Sequence, residues 1–330
     1  MSDADLKSYR FRSERESEWR SLEALFEKIR KKGEKSLDRE ELLELPRLYR
    51  AAVSSLSTAR AISLDRNLVS YLETLCAQGY LFIYGPRTTF WQKFSSFFKR
   101  DWPAAVYDAG RATLLSAAIT FGFALIVFLL VQSDPEWFYP FQAFPDERTP
   151  EASVETLRAT LYTESQDLGG SLSVFASHLF THNTMVALLA FALGFAIGIP
   201  TAILLAYNGC ILGAYTAIYF NKGLGYEIFG WLLIHGVTEI FAIILAGAAG
   251  FMIGGTLAFP GDKRRVDAMA EAGKKAGTIG MGIIVMLFLA ALLEGFGRQL
   301  INSDMTRYLI ATLTGLGWFS YFYLHGKRVS

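Results

Sequence analysis

Cysteine is nearly missing from this chain: Cys76 and Cys210 are the only two among 330 residues. Two thiols cannot make a disulfide scaffold, and both read as structural. Net charge is also missing, because 32 Lys and Arg offset 31 Asp and Glu to leave +1. That excludes a nucleic-acid binder driven by bulk basicity. Only 19% of residues are charged and 52% are hydrophobic, which excludes a disordered chain. The first residues lack the apolar stretch of a cleavable signal peptide. No Gly-Lys-Ser/Thr phosphate loop, dinucleotide fingerprint or Gly-x-Ser-x-Gly elbow occurs.

What is present is unevenly distributed. Residues 1–109 hold 35 of the 63 charged side chains but only 3 of the 29 glycines. A charged head therefore precedes a glycine-rich apolar body, and glycine is frequent where membrane helices approach closely. The head, residues 1–86, reads as a cytoplasmic helical domain. Its helices are expected at Phe11–Lys32, after an N-cap at Ser36, and at Leu64–Tyr84. Residues 87–109 read as an amphipathic interfacial elbow. Phe90, Phe94, Phe97 and Phe98 share a helical face beside Trp91, with Lys99 and Arg100 placed to reach lipid phosphates.

Residues 110–330 read as a transmembrane domain of about six helices, near 110–132, 183–207, 209–221, 228–259, 277–297 and 308–324. The third is short for a crossing. The fourth is long enough to break near Gly247–Gly255, and Asn208-Gly209 marks a tight turn between the second and third. Loop 133–182 carries eight acids against Arg148 and Arg158, whereas loop 260–276 and the tail at Lys327-Arg328 are basic. The positive-inside rule then puts the acidic loop outside and both termini in the cytoplasm. The predicted class is an all-α, polytopic membrane protein.

Ionisable groups within spans are functional suspects, because an unpaired charge there is costly. His235 and Glu239 stand four apart on one helical face, and depth arithmetic brings Glu294 to their level. His182 and Asn183 begin the second span at the same side. One imidazole and two carboxylates are a donor set for a divalent metal such as zinc. Interhelical hydrogen bonding and partner contact are the competing readings. His-Gly-x-x-Glu is not the zinc-protease motif, since the second His is missing and Gly236 stands where the base would be. Small residues at four-residue spacing, Gly194 and Gly198, then Gly250 and Gly254, are helix-packing positions within a chain or across a homodimer.

Several segments together resemble one bacterial family. They are Leu45-Pro46-Arg47-Leu48-Tyr49-Arg50, Ile83-Tyr84-Gly85, Gly198-x-Pro200-Thr201, His235-Gly236-x-x-Glu239 and Glu294-Gly295-Phe296. From about residue 40 the chain resembles the stage II sporulation protein M family. That resemblance implies a multi-pass plasma-membrane protein with no firmly assigned enzymatic activity. In spore formers the namesake anchors peptidoglycan-degrading enzymes at the septum. The long head resembles the branch found beside MoxR-type ATPase genes. The implied function is a non-enzymatic scaffold for envelope hydrolases or an ATPase system, in contact with the bilayer and without nucleic acid. A permease-like subunit and a metal-binding membrane protein are the alternatives.

Overall fold

The computed structural model describes residues 3–33, 36–61, 65–84, 90–142, 147–162, 171–293 and 301–330, with backbone alone at 3–8 and 171–180. All regular structure among them is helical. The chain divides into two compact units, Met1–Phe90 and Trp91–Ser330.

The first unit is a three-helix domain of α1 (Asp3–Lys32), α2 (Arg39–Ala61) and α3 (Arg66–Tyr84). The cap of α2 is Asp38, not Ser36. Asp38 Oδ1 accepts from the Glu41 amide at 2.8 Å, and Glu41 Oε2 accepts from the Asp38 amide at 2.9 Å. This reciprocal capping box satisfies two helix-end donors, which a serine two residues earlier cannot reach. Lys28 then bonds Glu41 at 2.6 Å and holds its carboxyl below the usual carboxylate range. Trp19, Leu22, Leu48, Ala52 and Leu72 form the core, where Trp19 Nε1 donates to Ser55 Oγ at 3.1 Å. Cys76 is buried in that core, and burial pushes its thiol up, away from reactivity.

The second unit begins with α4 (Phe90–Ser96), whose first residue closes the head unit, then a π turn at Phe97–Asp101 and α5 (Trp102–Asp108). The long helices follow: α6 (Gly110–Ser133), the short α7 (Val154–Ala159), α8 (Ser171–Ala192), α9 (Ile199–Asn221), α10 (Gly225–Ala258) and α11 (Arg265–Leu292). The chain ends with α12 (Asp304–Phe319), a second π turn at Ser320–His325, and α13 (Gly326–Val329). By length and composition, four described helices can cross a membrane: α6, α9, α10 and α11. The all-helical membrane class stands, but six crossings are not reached on that criterion.

Three boundaries differ from the sequence expectation. The chain breaks after Phe195, where Ile197 and Gly198 take positive φ of 61° and 77°, and not at Asn208-Gly209. Pro200 in the first turn of α9 and a left-handed Gly198 before it are strong start signals. Asn208 instead lies within α9 and turns its amide back to the Leu204 carbonyl at 2.8 Å. Gly209 faces the α6 backbone, where a β-carbon would collide with the Thr120 carbonyl. The short third span therefore becomes a full 23-residue helix. α10 also runs unbroken through Gly247–Gly255 for 34 residues, and Gly247, Gly250 and Gly254 there face neighbouring segments rather than a bend. Loop 133–182 is shorter than expected, since α8 already begins at Ser171.

α10 is the centre of the unit and touches α6, α8, α9, α11 and α12. Its approach to the α8–α9 connection is backbone against backbone. A β-carbon at Gly194 would stand 2.5 Å from Gly250 Cα, and one at Gly254 would stand 2.6 Å from the Gly198 nitrogen. Thr201 Oγ1 donates across the same crossing to the Ala190 carbonyl at 2.9 Å. Lipid tails are as apolar as leucine, so such van der Waals fit and hydrogen bonding carry helix association. Gly250→Ala is expected to cost about 1–3 kcal/mol through overpacking. Gly255→Ala, with open space around it, should leave the unfolding midpoint in detergent unchanged.

Candidate functional site

The polar residues read from sequence are only partly assembled. His235 lies buried on α10, with its ring edge-on to Trp231 at 5.8 Å. One turn on, Glu239 accepts from Asn183 Nδ2 of α8 at 2.5 Å. This bond joins two helices at a part-buried position, which is the geometry of interhelical hydrogen bonding. His182 is exposed. Glu294 lies outside the described residues. Among the described residues no three His, Cys, Asp or Glu side chains converge on a metal position.

The glycines chosen for packing meet each other within the chain. Gly194 and Gly198 face Gly250 and Gly254 across the α10 crossing described above.

The elbow splits into two parts. Trp91 and Phe94 are exposed, as is Phe90 at the boundary of the head unit. Phe97 and Phe98 instead pack on the buried Trp102, with ring centroids at 5.7 and 5.8 Å. Both are partly buried and pack against the cluster around Trp102, where the π turn breaks the spacing of a regular helix. A π turn frees carbonyls, and here the end of the chain satisfies them. Tyr321 OH donates to the Phe98 carbonyl at 2.6 Å, and His325 Nε2 meets the Lys99 carbonyl at 2.7 Å. Trp102 is the hub: Phe322 lies at 5.2 Å and Tyr321 at 5.5 Å, and Gly282 of α11 leaves the space its indole fills. The sequence carried only Gly280 and Gly282 as a sign of close packing, without naming the partner.

At the other end, residues 133–142 and 147–162 form a cap. Phe138, Leu157 and Leu161 are fully or nearly buried among Val131, Ile218 and Leu224 at the ends of α6, α9 and α10. Thr160 and Tyr219 share a hydroxyl–hydroxyl bond at 2.6 Å. Tyr139 donates to Glu151 at 2.5 Å, which pushes the phenol up to about 12 and the carboxyl below its usual range.

The clamp on the cap is Arg307, a residue the sequence reading passed over. It is 0% exposed at the start of α12. Its guanidinium donates to the Ile301 carbonyl at 2.8 Å, the Leu161 carbonyl at 3.2 Å and Asp304 at 3.2 Å. It also lies 4.9 Å from the centre of the Tyr162 ring, and Tyr162 OH donates to Asp304 at 2.8 Å. Burial, followed by the Asp304 carboxylate, pushes that phenol up. A planar fork with several donors suits a buried position that one ammonium would leave unsatisfied. The available signal was an acid three residues before a base at the mouth of an apolar helix.

The family model described as Stage II sporulation protein M matches residues 113–297, more than half of the chain. The chain belongs to the stage II sporulation protein M family. The match takes in α6 through α11, including the α10 glycine crossing and the Asn183–Glu239 bond. A second model, Domain of unknown function (DUF8413), matches residues 9–85 of the head. Comparison with curated proteins and with solved structures gives no match.

Removing Arg307 takes a donor from the Ile301 and Leu161 carbonyls and the cation from the Asp304 carboxylate, which keeps its bond from Tyr162. Arg307→Met is expected to destabilise cap docking by about 3–5 kcal/mol, the range for breaking one side of a buried ionic network. Tyr162→Phe, which deletes one hydrogen bond, should cost only about 0.5–1.5 kcal/mol. Hydrogen exchange of the α7 amides should rise in that order, while the middle of α9 keeps its protection.

Proposed function

We propose that this family member is a non-enzymatic scaffold of the bacterial plasma membrane. Six crossings are completed by α8 and by the continuous helical run 304–329, with both termini cytoplasmic and the cap outside. The scaffold gathers peptidoglycan-remodelling partners at the cap and ATPase-linked partners at the head. One observation carries this reading: the shaped polar surfaces lie away from a glycine-packed interior. The α8–α9 connection lies so close to α10 that a β-carbon at Gly194 or Gly254 would collide with the facing backbone, which leaves no passage at that crossing. The engagement of Glu239 by Asn183 supports a packing role for this part-buried carboxylate rather than metal binding.

The two ends offer different chemistry to partners. The cap is acidic, with Glu136, Glu147, Glu151 and Glu155, and it presents half-exposed Trp137 and Tyr139. A rigid cap spares a partner the entropy of ordering a loop. The head carries a groove of about 580 Å³ between α1 and the start of α3. Its wall combines Trp19 and Tyr71 with Arg12, Glu16 and Arg20. Aromatic residues with arginine are the composition of protein-recognition hot spots. The Arg12–Glu16–Arg20 ladder keeps the Glu16 carboxyl below its usual range.

Photo-crosslinkers placed at Glu155 and at Arg20 of the full chain in native membranes are expected to capture discrete and different proteins. Absence of adducts from both positions, together with a solute flux that depends on the chain, would replace the scaffold by a transporter.

A further inference from the structure

The cytoplasmic end of the second unit carries a feature that scaffolding does not use. A cavity of about 340 Å³ opens between the first π turn with α5, the α11 stretch Lys274–Thr278, and Val329 of α13. Its lining includes Arg100, Lys274 and Lys275, against the carboxylates Asp101 and Asp108. Lys275 donates to Asp108 at 2.7 Å, which ties α11 to α5 and builds one wall. Asp101 accepts from Ser96 Oγ at 3.1 Å. One turn earlier on α11, Glu271 is paired with Lys263. α13 is held against α5 where Gly326 packs on the Pro103 carbonyl, and its Val329 closes the cavity. Cations thus outnumber carboxylates around a concave site.

Depth decides what the cavity meets. Lys274 and Lys275 are the last charges of α11 before the apolar run from Ala276 to Leu292. Arg100 follows exposed Trp91 and Phe94 and precedes buried Trp102. The cavity therefore sits at the border between charged and apolar surface, the level of lipid headgroups. Basic pockets between membrane helices on that side suit anionic headgroups. The Arg100 fork matches a phosphodiester, and Lys274 adds a point charge.

We infer that this cavity binds the headgroup of an anionic phospholipid of the inner leaflet. The lipid phosphate lies between Arg100 and Lys274 and bridges the elbow to α11. The site rests on the proposed orientation only in that this end faces the inner leaflet. Its test in detergent is independent of partners, so failure here and failure of the crosslinking experiment are separate results.

The test is native mass spectrometry of the full chain in non-ionic detergent. The chain is titrated with phosphatidylglycerol, phosphatidylcholine or sodium phosphate. Phosphatidylglycerol should be retained over phosphatidylcholine. Arg100→Gln/Lys274→Gln should weaken that retention by about fivefold per cation removed. Arg264→Gln/Arg265→Gln, which removes the same charge from the neighbouring loop, should retain the lipid as the parent does. If the double variant is not monodisperse, Lys274→Gln alone should give the single-cation loss. Equal retention of both lipids overturns the inference. So does equal weakening by the two double variants, which would mean diffuse attraction. Displacement of the lipid by an equal concentration of inorganic phosphate would assign the cavity to a free anion instead.

Discussion

The close approach of backbone to backbone at α10 is the constraint on which the body depends. In a bilayer no water drives helices together, so association relies on contact and on polar groups finding each other. Gly194 and Gly198 against Gly250 and Gly254 bring two chain segments nearer than any side chain would allow. The left-handed Gly198 turn reverses the chain there, and Thr201 and the Ala190 carbonyl close the crossing. Gly209 and Gly213 repeat the device between α9 and α6 at Thr120 and Ala124. Once α10 is held on these sides, its polar residues have little freedom, and Glu239 meets Asn183.

Around this rigid centre the ends are finished by different physics. The cap is locked by a buried cation. Arg307 replaces lost hydration with two carbonyls, a carboxylate and an aromatic face, so its burial is tolerated. The opposite end is locked by aromatic packing on Trp102 and by the first π turn, whose Phe98 and Lys99 carbonyls meet Tyr321 and His325 of the second.

Much of this was legible in the sequence. Apolar run lengths, the head-to-body shift in charge and glycine, and the small-residue spacings carry the class and the packing faces, because each is a local pattern with a direct physical cause. The Asn183–Glu239 meeting came within reach of depth arithmetic. The turn between α8 and α9 was misplaced because Asn208-Gly209 has turn chemistry in isolation. Only the tertiary approach of Thr120 explains why that glycine lies inside a helix. The packing of Phe97 and Phe98 on Trp102 was hidden for a related reason: helical spacing assumes 3.6 residues per turn, and a π turn breaks it. Arg307 escaped notice because its partners, Leu161 and Tyr162, lie about 145 residues away and no spacing rule links them.

In the proposed arrangement the close-packed body holds the cap on one side of the membrane and Ser330 on the other. Cysteine labelling in intact cells tests it, on a Cys76→Ser/Cys210→Ser background that removes both native thiols. Glu155→Cys should react with an impermeant maleimide at once, and Ser330→Cys only after permeabilisation. Labelling of both positions from outside, or of Ser330→Cys alone, would contradict the account.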